Sequence, residues 1–170
     1  MYNPCKKLGL MATSGLFRLI RHLMAICQFK LMISSFNTFQ RNKKICIIFN
    51  YENFLMNKRR EGTNVDAASF KSAMEDLDFT VFEFKDCSVA QTTTVLDTMA
   101  TFHHYQSLRV AVMSHGKLGC FACYDGTFLI NELLSKLSNI HCLEKQCFFQ
   151  TCRGYHRDIE YDRRVRCSQM

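Results

Sequence analysis

The stretch "KQCFFQTCRGYH", Lys145–His156, decides how this chain is read. Its first half, "KQCFF", is short and apolar and predicts a strand buried on both faces. The second half breaks that pattern with Thr151, Cys152, Arg153 and Gly154. A cysteine that only fills core has no need of an arginine and a glycine beside it. A cysteine just beyond a strand end, next to a cation, has the surroundings of a nucleophile.

The same rhythm runs upstream. "KICIIF" from about Lys43 is a continuous β-branched run and predicts the first buried strand. A polar loop, "YENFLMNKRREGTN", follows it. From Asp66 the spacing of Ala67, Phe70, Met74 and Leu77 predicts a helix, with Thr63 or Asn64 as its cap. "FTVFEF" predicts the second strand, and Ser88–His103 a helix with Val95, Met99 and Phe102 inward. "LRVAVM" predicts the third strand. "LGCFACYDGTF" reads as a hairpin turning at Asp125–Gly126. Ile130, Leu133, Leu134 and Leu137 mark a third helix, and "KQCFF" is the fourth strand.

Strands alternating with helices give an α/β fold, a mostly parallel sheet of about four main strands flanked by helices. In such sheets the working groups gather beyond the carboxyl ends of the strands. The first strand leads to Arg59 and Arg60, the third to Ser114, His115 and Gly116, and the fourth to Cys152. A histidine and a cysteine thus leave one sheet at one edge. An imidazole can take the proton of a thiol and later deliver it to a leaving amine. Gly116 admits a substrate carbonyl close to the backbone, and its N–H, with that of Cys152, can receive an oxyanion.

Charge narrows the class. Net charge is +7 over 170 residues, yet residues 1–51 hold eight Lys or Arg and no Asp or Glu. Beyond them fourteen basic residues face fifteen acidic ones, so the body is near neutral and offers no nucleic-acid groove. Residues 1–42 form a basic, acid-free leader. It reads either as an organellar presequence or membrane-surface helix, with a mitochondrial address, or as a pro-segment outside the folded unit. Arg18, Arg21 and Lys30 interrupt its apolar stretch, so a membrane span is not expected. Ten cysteines without an evident secretory leader point to reduced thiols in a cytosolic or nuclear setting, and a cytoplasmic one is expected. Cys120-x2-Cys123 followed by Cys142-x4-Cys147 approaches a zinc spacing, but Cys147 falls in a strand and Cys120 in an apolar hairpin, so no metal or cofactor is expected.

"QTCRG" is similar to the caspase pentapeptide, with Thr151 where Ala is usual, and "SHG" resembles the caspase histidine loop. "FNYENF" followed by "REGTNVDA" resembles the loop and helix start after that family's first strand. The resemblance implies a large-subunit domain over 43–156, followed by a linker-like tail over 157–170. It implies a cysteine endopeptidase that cleaves protein or peptide substrates after aspartate, acting in apoptosis. Cys152 would be the nucleophile and His115 the general acid–base. Arg60 and Gln150 would line the aspartate pocket, and "IEYD", ending at Asp162, resembles a processing site. The family's small subunit has no counterpart in this sequence, so a caspase small subunit or a caspase-like dimer partner is expected from elsewhere. A second reading stays open: a non-catalytic caspase-like protein that pairs with active caspases and regulates them.

Overall fold

The computed structural model describes Cys27, residues 43–101 and 105–151, and the backbone of residues 166–169. Among these the elements run β1 (Lys43–Asn50), α1 (Thr63–Asp76), β2 (Thr80–Lys85), α2 (Val89–Ala100), β3 (Tyr105–Met113), β4 (Gly116–Lys117), β5 (Cys120–Ala122), β6 (Thr127–Leu129), α3 (Ile130–Ser138), β7 (Cys142–Gln150) and β8 (Arg166–Gln169).

β1 sets the layers. Its side chains alternate, Ile45, Ile47 and Phe49 to one side, Cys46 and Ile48 to the other, and all are buried. The first side joins Val95, Leu96 and Met99 of α2 and Leu133 and Leu137 of α3 in the larger core. The second joins Ala67 and Met74 of α1 in a smaller one. Helices therefore cover both faces, as a parallel sheet requires. The main sheet has the order β2-β1-β3-β7-β8, and every pairing in it is parallel. Chain order reverses between β1 and β3, the place in an open α/β sheet where a binding crevice is expected.

Register then aligns the strand ends. Asn50 pairs with Lys85 on one side and Met113 on the other, and Met113 pairs with Gln150. The four segments Tyr51, Asp86, Ser114 and Thr151 thus leave the sheet in one row.

Several boundaries differ from the sequence reading. β8 lies inside the tail expected as linker-like and adds a fifth strand to the main sheet. "RCSQ" has no apolar run, and its pairing with Gln146–Phe149 rests on backbone bonds that side-chain patterning does not announce. α1 starts at Thr63, and its cap is Gly62 at φ 83°, with no side-chain cap. Neither Thr63 nor Asn64 caps it, because the Thr63 hydroxyl instead donates to Asn50 Oδ1 at 2.7 Å. Leu77 falls just past the helix end and is exposed. The hairpin is a three-stranded antiparallel sheet, β4-β5-β6. The chain turns between β5 and β6 at Asp125–Gly126 as read, with Cys123 N donating to Gly126 O at 2.8 Å, and Gly119 (φ 72°) stands in the added β4–β5 turn. α2 begins as read, with Ser88 Oγ accepting from Gln91 N and Ser88 N donating to Gln91 Oε1. It ends at Ala100, and Phe102 lies outside the described residues. No helix among the described residues is long and apolar enough to cross a membrane.

The buried thiols give the fold an alkaline limit. Burial pushes Cys46 and Cys87 from 9.0 up to about 12. Between those values the folded chain keeps protons that the unfolded chain has lost. Stability is therefore full below pH about 9 and falls as pH rises toward about 12, by about 1.4 kcal/mol per pH unit for each thiol. Denaturant unfolding of the full chain across this range should show the slope, and Cys87→Ala should make it shallower.

Candidate active site

His115 is fixed through its backbone and its neighbour. Ser114 N donates to Gln150 O at 3.2 Å, extending the β3–β7 pairing by one residue. The Ser114 hydroxyl donates to Ala122 O, and Ala122 N donates to His115 O at 2.8 Å. The histidine is thereby clamped between β7 and β5. Gly116 follows in β4, paired with Phe121.

The imidazole is half-buried and meets the loop after β1. Its centroid lies 4.9 Å from that of Phe54, and Nε2 lies 2.8 Å from Lys58 O. A carbonyl oxygen only accepts, so Nε2 carries the proton of that bond. In the neutral ring Nδ1 then holds the lone pair, which makes it the basic nitrogen.

That loop is held by polar anchors. Tyr51 N donates to Met113 O at 2.9 Å, and Leu55 N to Tyr124 O at 2.8 Å. Arg60 N closes the loop on Glu52 O at 2.9 Å. Asp86, just past β2, sits at φ 49°, a left-handed conformation that Asp tolerates better than most residues. Its Oδ1 accepts from Glu52 N at 2.7 Å and Asn53 N at 2.8 Å, and Oδ2 accepts from Asn53 Nδ2 at 2.9 Å. One buried carboxylate thus fixes the two residues before Phe54. Arg59 points outward and pairs with Glu52, and its hydrogen bonds, then that of Asn64, hold the Glu52 carboxyl below its usual range.

Arg60 and Gln150 both flank the first turn of α1. Arg60 Nη1 donates to Thr63 Oγ1 at 2.8 Å and reaches Tyr51 O at 3.4 Å. Gln150 Nε2 donates to Asp66 Oδ2 at 2.9 Å. Gln150 Oε1 and Thr151 Oγ1 are buried with no partner among the described residues. Beside His115 lies a cleft of about 350 Å³ lined by Met56, Asn57 and residues of the small sheet. His115 and Gly116 line it, whereas Arg60 and Gln150 do not. Cys152, its backbone N–H and Asp162 lie outside the described residues. Among the described residues no group of three His, Cys, Asp or Glu is arranged to hold a metal ion.

A family profile described as Caspase domain matches residues 43–168. The chain belongs to the caspase family. That match runs past residue 156, where the sequence reading closed the domain, and takes in most of β8. Caspase drICE of Drosophila melanogaster is 30% identical over 134 residues, 74% of this chain and 40% of the relative. Caspase-7 of Gallus gallus is 29% identical over 143 residues, 77% of this chain and 46% of the relative. The crystal structure of Caspase-1 from Spodoptera frugiperda superposes with a TM-score of 0.61 at 27% identity, covering 72% of this chain and 53% of that one. This caspase domain spans less than half the length of those two curated relatives.

Three site groups were not named from sequence: the Lys58 carbonyl, Phe54 and Asp86. A main-chain oxygen has no sequence signature. Asp86 had one usable signal, an acid directly after a strand end, where loops converge.

Asp86→Ala should leave the N–H groups of Glu52 and Asn53 without their acceptor and cost about 1–3 kcal/mol. It should also free the Phe54–Lys58 segment from His115. Nitrogen-15 NMR of labelled histidine in the full chain should show a protonated Nε2 on His115, and a shift toward averaged tautomers in Asp86→Ala. Asp86→Asn, which keeps one oxygen acceptor, should fall between the two.

Proposed function

We propose that this caspase domain is the larger part of a cysteine endopeptidase that cleaves protein or peptide chains after aspartate. The observation that carries the reading is the Nε2–Lys58 O bond, which leaves Nδ1 of His115 as the basic nitrogen at the strand edge from which Cys152 departs. In this mechanism Nδ1 takes the Cys152 proton, and the thiolate adds to the substrate carbonyl. The N–H groups of Gly116 and Cys152 receive the oxyanion. The tetrahedral intermediate collapses to a thioester as the imidazolium passes its proton to the leaving amine. Water, deprotonated by His115, then hydrolyses the thioester and returns the thiol.

Arg60 and Gln150 are the proposed aspartate-binding pair. A guanidinium meets a carboxylate through two parallel N–H bonds, which suits Arg60 to that task. The Gln150 amide is engaged by Asp66 and exchanges that partner for the substrate carboxylate. The proposed partner is a caspase small subunit or a caspase-like protomer, and the proposed setting is apoptotic proteolysis in the cytoplasm.

Two outcomes test this in the full chain. A peptide electrophile ending in aspartate should label Cys152, and the label should vanish in Cys152→Ala. Labelling that survives that change removes the nucleophile assignment, and absence of labelling in the parent chain favours the non-catalytic regulator. Arg60→Ala should slow labelling by the aspartyl probe by on the order of a hundredfold or more, because the substrate carboxylate loses its cation. Reaction of Cys152 with a small neutral alkylating agent should stay near the parent rate.

A further inference from the structure

The proposed chemistry at Cys152 gives no role to two thiols buried beside the small sheet. Cys87 stands just past the end of β2 and Cys123 just past the end of β5. Both are buried, and neither is in a disulfide. One backbone bond joins the two places, Tyr124 N donating to Cys87 O at 2.9 Å. The α-carbons of Cys87 and Cys123 therefore flank a single hydrogen bond, and residues so placed sit at about the 4.4–6.8 Å that a disulfide spans. Their side chains also share a neighbour. Cys123 Sγ donates to the Tyr51 hydroxyl at 3.4 Å and lies 3.7 Å from Thr92 Oγ1. Burial, then Cys123, then Cys87 pushes the Tyr51 hydroxyl well above its usual range, so both sulfurs act on it.

What stands before each cysteine gives the pair a use. Ala122 holds His115: its N–H donates to His115 O at 2.8 Å, and its own oxygen accepts from the Ser114 hydroxyl. Asp86 holds the loop that His115 meets, accepting from Glu52 N at 2.7 Å and Asn53 N at 2.8 Å. A bond between the two sulfurs ties the support of the imidazole to the anchor of that loop. Independently of the protease reading, we propose that Cys87 and Cys123 close into a reversible disulfide under hydrogen peroxide, and that this staple fixes the small sheet to the exit of β2.

Cys123 is the thiol that reacts first. It is part of the wall of the cleft beside His115, whose volume of about 350 Å³ admits a molecule as small as hydrogen peroxide. Burial raises its pKa, and hydrogen bonds from Tyr51 and Thr92 work against that rise. Cys87 is pushed by burial up to about 12. The Cys123 thiolate attacks one peroxide oxygen, the O–O bond breaks, and the released hydroxide takes up the thiol proton and leaves as water. Cys123 is then a sulfenic acid, oxidised by two electrons. The Cys87 sulfur attacks that sulfur, the S–S bond forms, the S–O bond breaks, and a second water departs with the Cys87 proton. Two thiols and one peroxide give one disulfide and two waters, and a dithiol reductant reverses the step.

The experiment treats the full chain with hydrogen peroxide, blocks the remaining thiols and maps the unreduced digest by tandem mass spectrometry. A Cys87–Cys123 link should appear, and dithiothreitol should remove it. Closing the chain between these residues should raise the melting temperature by on the order of 10 °C. Hydrogen exchange at the N–H groups of Glu52, Asn53 and Ala122 should slow by on the order of tenfold. Both effects should be absent in Cys87→Ala and in Cys123→Ala, either of which suffices as the control, and should persist in Cys120→Ser. A link from Cys123 to Cys120 or to any other cysteine in place of Cys87 overturns the proposal. So does the absence of a link, or a link that leaves melting and exchange unchanged.

Discussion

Burial of β1 on both faces is the constraint from which the rest follows. A strand with Ile45, Ile47 and Phe49 on one side and Cys46 and Ile48 on the other cannot end a layer or edge a sheet. It needs a hydrogen-bonded strand on each edge and a helix layer on each face. Parallel neighbours satisfy the edges, and parallel pairing brings Asn50, Lys85, Met113 and Gln150 level. The convergence of four strand exits is therefore a by-product of making the core. Chemistry at that edge inherits a rigid base that its own residues do not have to build.

What lies above the base is held by polar groups. Asn50, at the end of β1 and fully buried, is satisfied by Thr63, Asn64 and Glu83. Its partner Thr63 in turn accepts from Arg60, so the start of α1, the end of β1 and the candidate aspartate-binding arginine form one connected network. Asp86 does the same for the segment leading to Phe54 and Lys58. Each such bond contributes modestly when made and costs more when a buried partner is removed. This explains how a loop that exposes Leu55 and Met56 can still present one carbonyl to one imidazole nitrogen.

Apolar periodicity in the sequence was enough to place β1, β2, β3, β7 and the three helices, because burial writes itself into side-chain spacing. Placing strands also placed His115 and Gln150, since each stands at a strand exit. The parts that were not legible share one property: their information is not in side-chain polarity. β8 adds to the sheet through main-chain bonds. Lys58 contributes a carbonyl that any residue would carry. Thr63 or Asn64 was expected to cap the helix, and Thr63 instead bridges Asn50 and Arg60, a long-range choice that local propensity does not encode. Leu77 fitted the helical stripe, but the stripe outlasted the helix, and Asp78 at φ 67° turns the chain away from it.

The described part of the sheet is least satisfied where Cys152 follows it. Gln150 Oε1 and Thr151 Oγ1 are both buried and both lack a partner among the described residues. Among the other described residues Arg109 Nε in β3 is also buried without a partner, whereas Tyr51 is met by Thr92, Ser114 by Ala122 and Asn50 by three side chains. An unmet acceptor costs on the order of 1–3 kcal/mol, which a purely structural strand end would shed by carrying an apolar residue instead. Two such groups in succession, directly before residues that lie outside the described ones, mark the strand exit as the place where polar atoms are left for partners beyond Thr151.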